Sequence, residues 1–432
     1  MEETLKLVVI GAGSSYTPEL MEGIILHHKE LPVGEVWLVD IEEGKEKLHT
    51  IAELSKRMIA KSGLPITVVE TLNRREAIAG ADFVCTQIRV GMLEARKWDE
   101  LLPLQYDVIG QETTGPGGMM KGLRTIPVIL DICKDIEELA PDAWLLNFTN
   151  PAGMVTEAVH KYSPVKSVGL CNSPIGFQKW LSEFFGLPTD KIYSEFVGIN
   201  HLHWVSDVVI DGKSKLQELI DYPQSYKASN VPFDSWDHRF LNGLQAIPSY
   251  YLSYYYMTDA MLKEQKEAAA STGSRAEVVK KVEEELFELY RNVELEEKPK
   301  QLEQRGGAYY SEAAVLLMRS IHNDSRDIQT LNVRNNGIID FLPEDASIEV
   351  NCVVTKQGPL PIPLQKIPPS VKGLLAAVKQ YESLTIEAAV RGDRDIALQA
   401  MVHHPLVPSV TVAEQLLDEM LEKNKPYLPL FH

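Results

Sequence analysis

A thiol and an imidazole that each close an apolar run are the first residues in this chain that could do chemistry. Ser167-Val168-Gly169-Leu170 leads into Cys171-Asn172-Ser173-Pro174, and a second run ends in Gly198-Ile199-Asn200-His201. At the ends of two core strands, such a pair could meet on one metal ion or one substrate. A buried cysteine is also a common inert hydrophobe, so spacing alone leaves both readings open. A second chemical element is glycine-rich: Leu5-Lys6-Leu7-Val8-Val9-Ile10 runs into Gly11-Ala12-Gly13-Ser14-Ser15-Tyr16-Thr17-Pro18. Gly11 permits a tight turn and Gly13 lets the backbone approach a pyrophosphate. The amides of Ser14, Ser15 and Tyr16 at the following helix start would hold the anion.

The elements that must position these residues alternate between strand and helix. A helical stretch runs from Glu19 to His28, and the strand Glu35 to Val39 ends in Asp40. A carboxylate there accepts hydrogen bonds from an adenosine ribose diol and repels a 2′-phosphate, so the expected cofactor is NAD rather than NADP. Tyr16 stands where the general dinucleotide fingerprint has its third glycine. Helices are expected over Ile41 to Lys61 and Arg74 to Ala79, and strands over Ile66 to Glu70, Asp82 to Ile88 and Ala143 to Phe148. Right-handed crossovers make this a Rossmann-like, doubly wound parallel sheet. Ligands on such a sheet bind outside the carboxyl ends of its strands. The polar residues to watch are therefore Gly11 to Tyr16, Asp40, Arg89, Asn147 to Asn150, and Cys171-Asn172. The glycine-rich stretch Gly110 to Gly118 reads as a mobile connector or a lid.

The pattern changes after His201. Leu202 to Ile210 reads as a strand, and Phe240 to Met261 as a helix carrying Tyr250, Tyr251, Tyr254, Tyr255 and Tyr256, the usual mark of amphipathic packing. Glu264 to Asn292 reads as one long charged helix containing Arg275, and Gly306-Gly307 leads into an apolar helix. Two strands, Ile328 to Val333 and Ile348 to Val354, precede a helical C-terminus broken at His404-Pro405. The expected division is residues 1–195 as the dinucleotide-binding half and residues 196–432 as an α+β half for substrate and oligomerisation. The α/β layout resembles that of lactate and malate dehydrogenases, so a 2-hydroxy-acid dehydrogenase is one functional reading.

Charge and composition exclude other classes. A net charge of −18 argues against nucleic acid, whose phosphates need basic stripes. No apolar run reaches the roughly 18 residues of a membrane span. The start, Met1-Glu2-Glu3-Thr4, lacks the basic opening of a secretory signal. Four scattered cysteines form no disulfide framework, and the expected setting is a reducing cytoplasm.

Four motifs jointly resemble glycoside hydrolase family 4, the NAD- and metal-dependent glycosidases: Gly11 to Thr17, Asn147-Phe148-Thr149-Asn150-Pro151, Cys171 to Pro174, and Gly198 to His201. The segments Gly110 to Gly115, Tyr251 to Tyr255 and Arg334-Asn335-Asn336-Gly337 are similar to that family too, so the likeness covers essentially the whole chain. Such enzymes are an exception to two-carboxylate glycoside hydrolysis. The resemblance implies redox-assisted elimination: hydride leaves C3 of the sugar for NAD⁺, the C2 proton becomes acidic, the C1 group departs, water adds, and the hydride returns. It implies Cys171 and His201 as ligands of a divalent ion, usually Mn²⁺, and Tyr251 as the C2 base. Tyr250 is adjacent, so the tyrosine register is open. Arg89 and Arg275 match positions that contact a sugar phosphate, and Asn150 and Asn172 positions that contact hydroxyls. The residue after the cysteine tracks substrate class in the family, so Asn172, placed with Tyr251 in the catalytic set, implies a 6-phospho-β-glucosidase. A member acting on α-linked or unphosphorylated sugars is the alternative. The family's members are commonly homodimers or homotetramers.

Overall fold

The computed structural model describes residues 4–222, 235–305 and 309–431. Six parallel strands form the expected sheet: β1 (Leu5–Ile10), β2 (Val33–Val39), β3 (Thr67–Thr71), β4 (Phe83–Thr86), β5 (Trp144–Asn147) and β6 (Lys166–Gly169). Leu7, Val8 and Val9 of β1 and Val84 of β4 are fully buried, as a strand covered on both faces requires. The order β3-β2-β1-β4-β5-β6 is the doubly wound order, with its switch point between β1 and β4.

The second half adds two things. β7 (Tyr193–Ile199), β8 (Leu202–Ile210), β9 (Lys213–Ser214) and β10 (Ile247–Pro248) make a separate antiparallel sheet. The run ending at His201 is therefore the first arm of a hairpin: Ile199 pairs with Leu202, and Asn200-His201 is the two-residue turn. β11 (Ile328–Arg334), β12 (Ser347–Thr355) and β13 (Gly358–Pro361) extend the main sheet antiparallel from β6.

Three expected elements differ. Phe240 to Met261 is not one helix: a helix over His238–Leu244 gives way to β10, a 3₁₀ turn over Tyr250–Leu252 and a short helix over Ser253–Tyr256. Pro248 lacks an amide and disfavours helix before it, so the chain is extended into the tyrosines. Glu264 to Asn292 is two helices, Thr258–Ser271 and Arg275–Arg291, broken where Gly273 takes φ +89° and Ser274 forms a capping box with Glu277. The stretch Gly110 to Gly118 is a connector only as far as Thr114, and it is closely packed. Gly115–Leu139 is a helix, and a Cβ at Gly110 would lie 1.8 Å from the Glu100 carbonyl oxygen. These glycines serve close packing. The apolar helix Tyr310–Asn323 and the break at His404-Pro405 are as expected, while Gly306-Gly307 lies outside the described residues.

One buried charge cluster fastens the C-terminal helices to the sheet. Glu157, in the helix after β5, accepts from Lys161 Nζ at 2.7 Å, Lys379 Nζ at 2.7 Å and the Ser347 amide at 2.9 Å. Burial opposes its ionisation, yet the two lysines hold its carboxyl down to about 2. A depressed folded-state value means this stability is present above the unfolded carboxyl's value of about 4.3 and is lost as pH falls from there toward 2. Denaturant melts of Glu157→Gln should show a loss of about 3 kcal/mol or more at pH 7, and a smaller further loss than the parent between pH 6 and 3.

Candidate active site

The carboxyl end of β1 builds an anion cradle. Gly11 turns with φ +84°, and a Cβ there would lie 2.9 Å from the Gln87 carbonyl oxygen, so the loops after β1 and β4 touch at the switch point. The Gly13 amide donates to Asp40 Oδ2 at 2.7 Å, and the Ile41 amide donates to Oδ1 at 2.9 Å. Burial raises the Asp40 carboxyl, against those amides and the nearby Lys47 charge. Ser14 Oγ accepts from the Tyr16 amide at 3.4 Å. Ser15 is buried, its hydroxyl donating to Glu283 Oε1 at 3.3 Å and its carbonyl accepting from Tyr290 Oη at 2.9 Å. Ser15 thus ties the loop to the helix Arg275–Arg291 and has its amide left for an anion. Tyr16 adopts φ −84° and ψ −14°, ordinary right-handed backbone, and its ring packs partly buried against the core. A cradle with a Gly13 amide already turned toward a strand-end acid fits a dinucleotide.

Cys171 and His201 reach the same neighbourhood from different sheets. Cys171 follows β6, and its sulfur accepts from the Ser173 amide at 3.5 Å and from the Asn200 side chain, one residue from His201. Burial, and then the Glu349 carboxylate, push this thiol well above its ordinary value. His201 occupies the hairpin turn with φ +61°. Its Nδ1 lies 3.0 Å from Thr113 Oγ1, whose proton goes to Gln111 Oε1 at 3.0 Å. Nδ1 must therefore donate, which leaves a lone pair on Nε2. Burial pushes this imidazole down to about 4, so it is neutral, the ligating form, at neutral pH. Its ring stacks on Tyr251, with centroids 3.9 Å apart and planes 19° apart. Tyr250 packs behind, 4.5 Å from Tyr251, so the ring that faces His201 is Tyr251.

Among the described residues no three His, Cys, Asp or Glu side chains are grouped to hold a metal ion. A thiol and a neutral imidazole fit a cation bound through two protein ligands, its remaining positions open to substrate oxygens. The support behind them is a network that the sequence reading missed. Glu349 of β12 is buried and accepts from Asn200 Nδ2 at 3.1 Å and Asn332 Nδ2 at 2.9 Å, with His203 Nδ1 2.5 Å from its other oxygen. Burial would raise this carboxyl, but His203 and the amides bring it below its ordinary value. An acid and an amide alternating within the apolar strand Ile348-Glu349-Val350-Asn351-Cys352 were the available signal.

Arg89, after β4, belongs to a cationic group. It donates to Glu112 Oε2, which also takes Lys121 Nζ at 2.6 Å, while Arg96 Nη1 lies 3.0 Å from Glu112 Oε1. Burial opposes the Glu112 charge, yet the three cations hold its carboxyl well below the ordinary range. Burial, then Arg89, push the Lys121 ammonium down to about 7 in spite of Glu112. Arg96 continues to Glu100 at 2.7 Å, and Glu100 accepts the Ala276 amide at 2.7 Å, beside Arg275. The chain of charges that starts at Arg89 therefore ends at the first turn of the helix Arg275–Arg291. Asn150 precedes a cis bond to Pro151 and accepts the Ala152 amide at 3.3 Å; Asn172, half-buried, opens the helix Ser173–Phe185 beside Cys171. The expected residues fall into three adjoining groups: the cradle, the thiol–imidazole–phenol set and the cationic chain. Thr113 and Glu112 join the last two, and the helix Arg275–Arg291 joins the first and third.

Comparison with known proteins places this arrangement in a family. Residues 6–187 match the family 4 glycosyl hydrolases, and residues 196–407 match the C-terminal domain of that family. The chain belongs to the family 4 glycosyl hydrolases. It is 54% identical to the "Probable 6-phospho-beta-glucosidase" of Bacillus subtilis (strain 168), over 100% of this chain and 99% of the relative. It is 35% identical to the 6-phospho-beta glucosidase of Thermotoga maritima, solved with manganese, NAD⁺ and glucose-6-phosphate, with a TM-score of 0.89 over 98% of this chain and 99% of that one. A lactate dehydrogenase from a deep-sea metagenome, 14% identical, superposes with a TM-score of 0.55 over 90% of this chain and 99% of that one, a likeness of fold alone.

The cradle yields a direct expectation. A Cβ at Gly13 would lie 2.7 Å from Asp40 Oδ2, so Gly13→Ala should separate the loop from the acid. Calorimetric titration should show NAD⁺ affinity reduced by about tenfold or more, with the circular dichroism spectrum unchanged.

Proposed function

We propose that this chain is a 6-phospho-β-glucosidase, hydrolysing 6-phospho-β-glucosides to glucose 6-phosphate with NAD and a divalent cation, manganese foremost. The observation that carries the assignment is the stack of Tyr251 on His201, beside Cys171, at the carboxyl edge of a dinucleotide-binding sheet. When bound, the dinucleotide supplies a reversible hydride acceptor and the cation a Lewis acid beside the sugar's C2 and C3 oxygens. Cys171 and the His201 Nε2 lone pair hold the cation. Tyr251 takes the C2 proton, a step that an unperturbed phenol of pKa about 10 performs only where nearby positive charge favours its anion. Asn150 and Asn172 orient sugar hydroxyls, and the Asn172 position favours the β-linked phosphosugar. Arg89 and Arg275 receive the 6-phosphate, which must share Arg89 with Glu112.

The same proposal divides the chain at residue 195. The preceding residues carry the cofactor; those that follow bring the base, a metal ligand and the surfaces of a homodimer or homotetramer. No helix among the described residues is long and apolar enough to cross a membrane. We assign the work to the cytoplasm, whose reducing milieu keeps the Cys171 thiol available.

A chromogenic 6-phospho-β-glucoside should be cleaved only when NAD⁺ and Mn²⁺ are both present, with the NAD⁺ pool unchanged at the end. Faster cleavage of the α-anomer or of the unphosphorylated glucoside would favour the alternative family reading, and stoichiometric NADH would favour a dehydrogenase. In the same assay Tyr251→Phe should lower kcat by about a hundredfold or more, while Tyr250→Phe should leave most of it.

A further inference from the structure

The corner of the cradle beyond Asp40 has the makings of a site for a second phosphate. The helix Lys45–Ser62 begins there, and its first turns carry Lys45 and Lys47. Two ammonium groups attract a dianion, although the 3₁₀ turn Glu42–Gly44 that leads into the helix carries two carboxylates of its own. Lys47 is close enough to act on the Asp40 carboxyl. It also lines a groove of about 1110 Å³, with Met92 on one wall and Glu283 and Phe287 of the helix Arg275–Arg291 on the other. Unpaired, Lys47 would welcome a dinucleotide bearing a 2′-phosphate, in a groove that Glu46 also lines.

Glu283 changes that balance from the other half of the chain. Its Oε2 lies 3.1 Å from Lys47 Nζ, and its side chain is only 10% exposed against 51% for the lysine. Its Oε1 takes the Ser15 hydroxyl, which holds the carboxylate against the glycine-rich loop. Lys47 is also drawn over the Phe287 ring, 5.1 Å from its centroid, toward the groove wall. Lys45 is paired as well, with Glu42 at 3.3 Å, but both partners are solvated and that pair is weak.

We infer that Glu283 is a specificity-determining residue for the cofactor: by neutralising Lys47 from the glycine-rich loop that Asp40 also holds, it makes the cradle accept a ribose 2′-hydroxyl and reject a 2′-phosphate. The inference rests on the dinucleotide reading given above and assigns part of that discrimination to a helix outside the strand–turn–helix unit that binds it. A purely structural Glu283 would, when altered, disturb the Ser15 loop and weaken both cofactors together.

Glu283→Gln keeps the shape and an acceptor for Ser15 while removing the charge that holds Lys47. NAD⁺ and NADP⁺ are titrated calorimetrically against the full-length parent, Glu283→Gln, Lys47→Met and the double variant, at low and high salt. The ratio of NADP⁺ to NAD⁺ affinity should rise about tenfold in Glu283→Gln, shrink toward the parent's at high salt, and return to it in the double variant. Lys47→Met alone, which leaves the Glu283 carboxylate unpaired, should lower the ratio, with NAD⁺ affinity near the parent's. An unchanged ratio in Glu283→Gln, or a raised ratio in Lys47→Met alone, would overturn the inference while leaving the dinucleotide reading intact. A parent that binds no NAD⁺ would overturn both.

Discussion

Glu112 sits buried against Arg89, Arg96 and Lys121, and the rest of the site is arranged around that one carboxylate and its three cations. Removing one partner from a buried pair costs about 3–5 kcal/mol, because the other charge is left stranded. The segment that carries Glu112 is therefore held firmly, and what it carries is held with it. Thr113, the next residue, fixes the ring nitrogen of His201 that donates and so the one that can ligate. Arg96 leads through Glu100 to the start of the helix Arg275–Arg291. One buried carboxylate thus sets the phosphate arginine, the orientation of the imidazole and the entry of a helix that returns to the cofactor loop.

The two halves of the chain contribute unlike things to this centre. The parallel sheet supplies strand ends, where backbone amides and short polar side chains face outward by topology. The antiparallel β7–β8 hairpin supplies a single turn, and its tightness forces His201 into left-handed backbone. The broken tyrosine segment adds a ring stacked on that imidazole. A buried thiol and a buried imidazole resist taking on charge by themselves. Burial raises the Cys171 thiol and lowers the His201 imidazole, so both favour their neutral forms, and a bound cation would draw the proton from the thiol.

Much of this was legible in the residues. β1 has the bounds its apolar run announced, and Gly11, Gly13 and Asp40 stand together as a strand–turn–helix pattern requires. What escaped was what periodicity cannot encode. The break at Gly273 falls in the uncharged run Ala268 to Ser274 between two charged stretches, and Ser274-Arg275-Ala276-Glu277 is a capping-box sequence that marks a new helix start. Glycines at Gly110 to Gly118 looked like freedom and are close packing against Glu100 and its neighbours. Glu349 and Asn332 act from strands far along the chain, and only the antiparallel extension of the sheet past β6 brings them behind Cys171 and Asn200. The pairing of Ser15 with Glu283 is of the same kind, a contact across most of the sequence that local pattern cannot announce.

The central claim is that a proton leaves C2 of the sugar toward Tyr251 during each turnover and is replaced from solvent. Hydrolysis of a 6-phospho-β-glucoside in deuterium oxide, followed by NMR of the glucose 6-phosphate formed, tests this most directly. The account predicts deuterium at C2 of the product; a product that retains its original C2 hydrogen would contradict it.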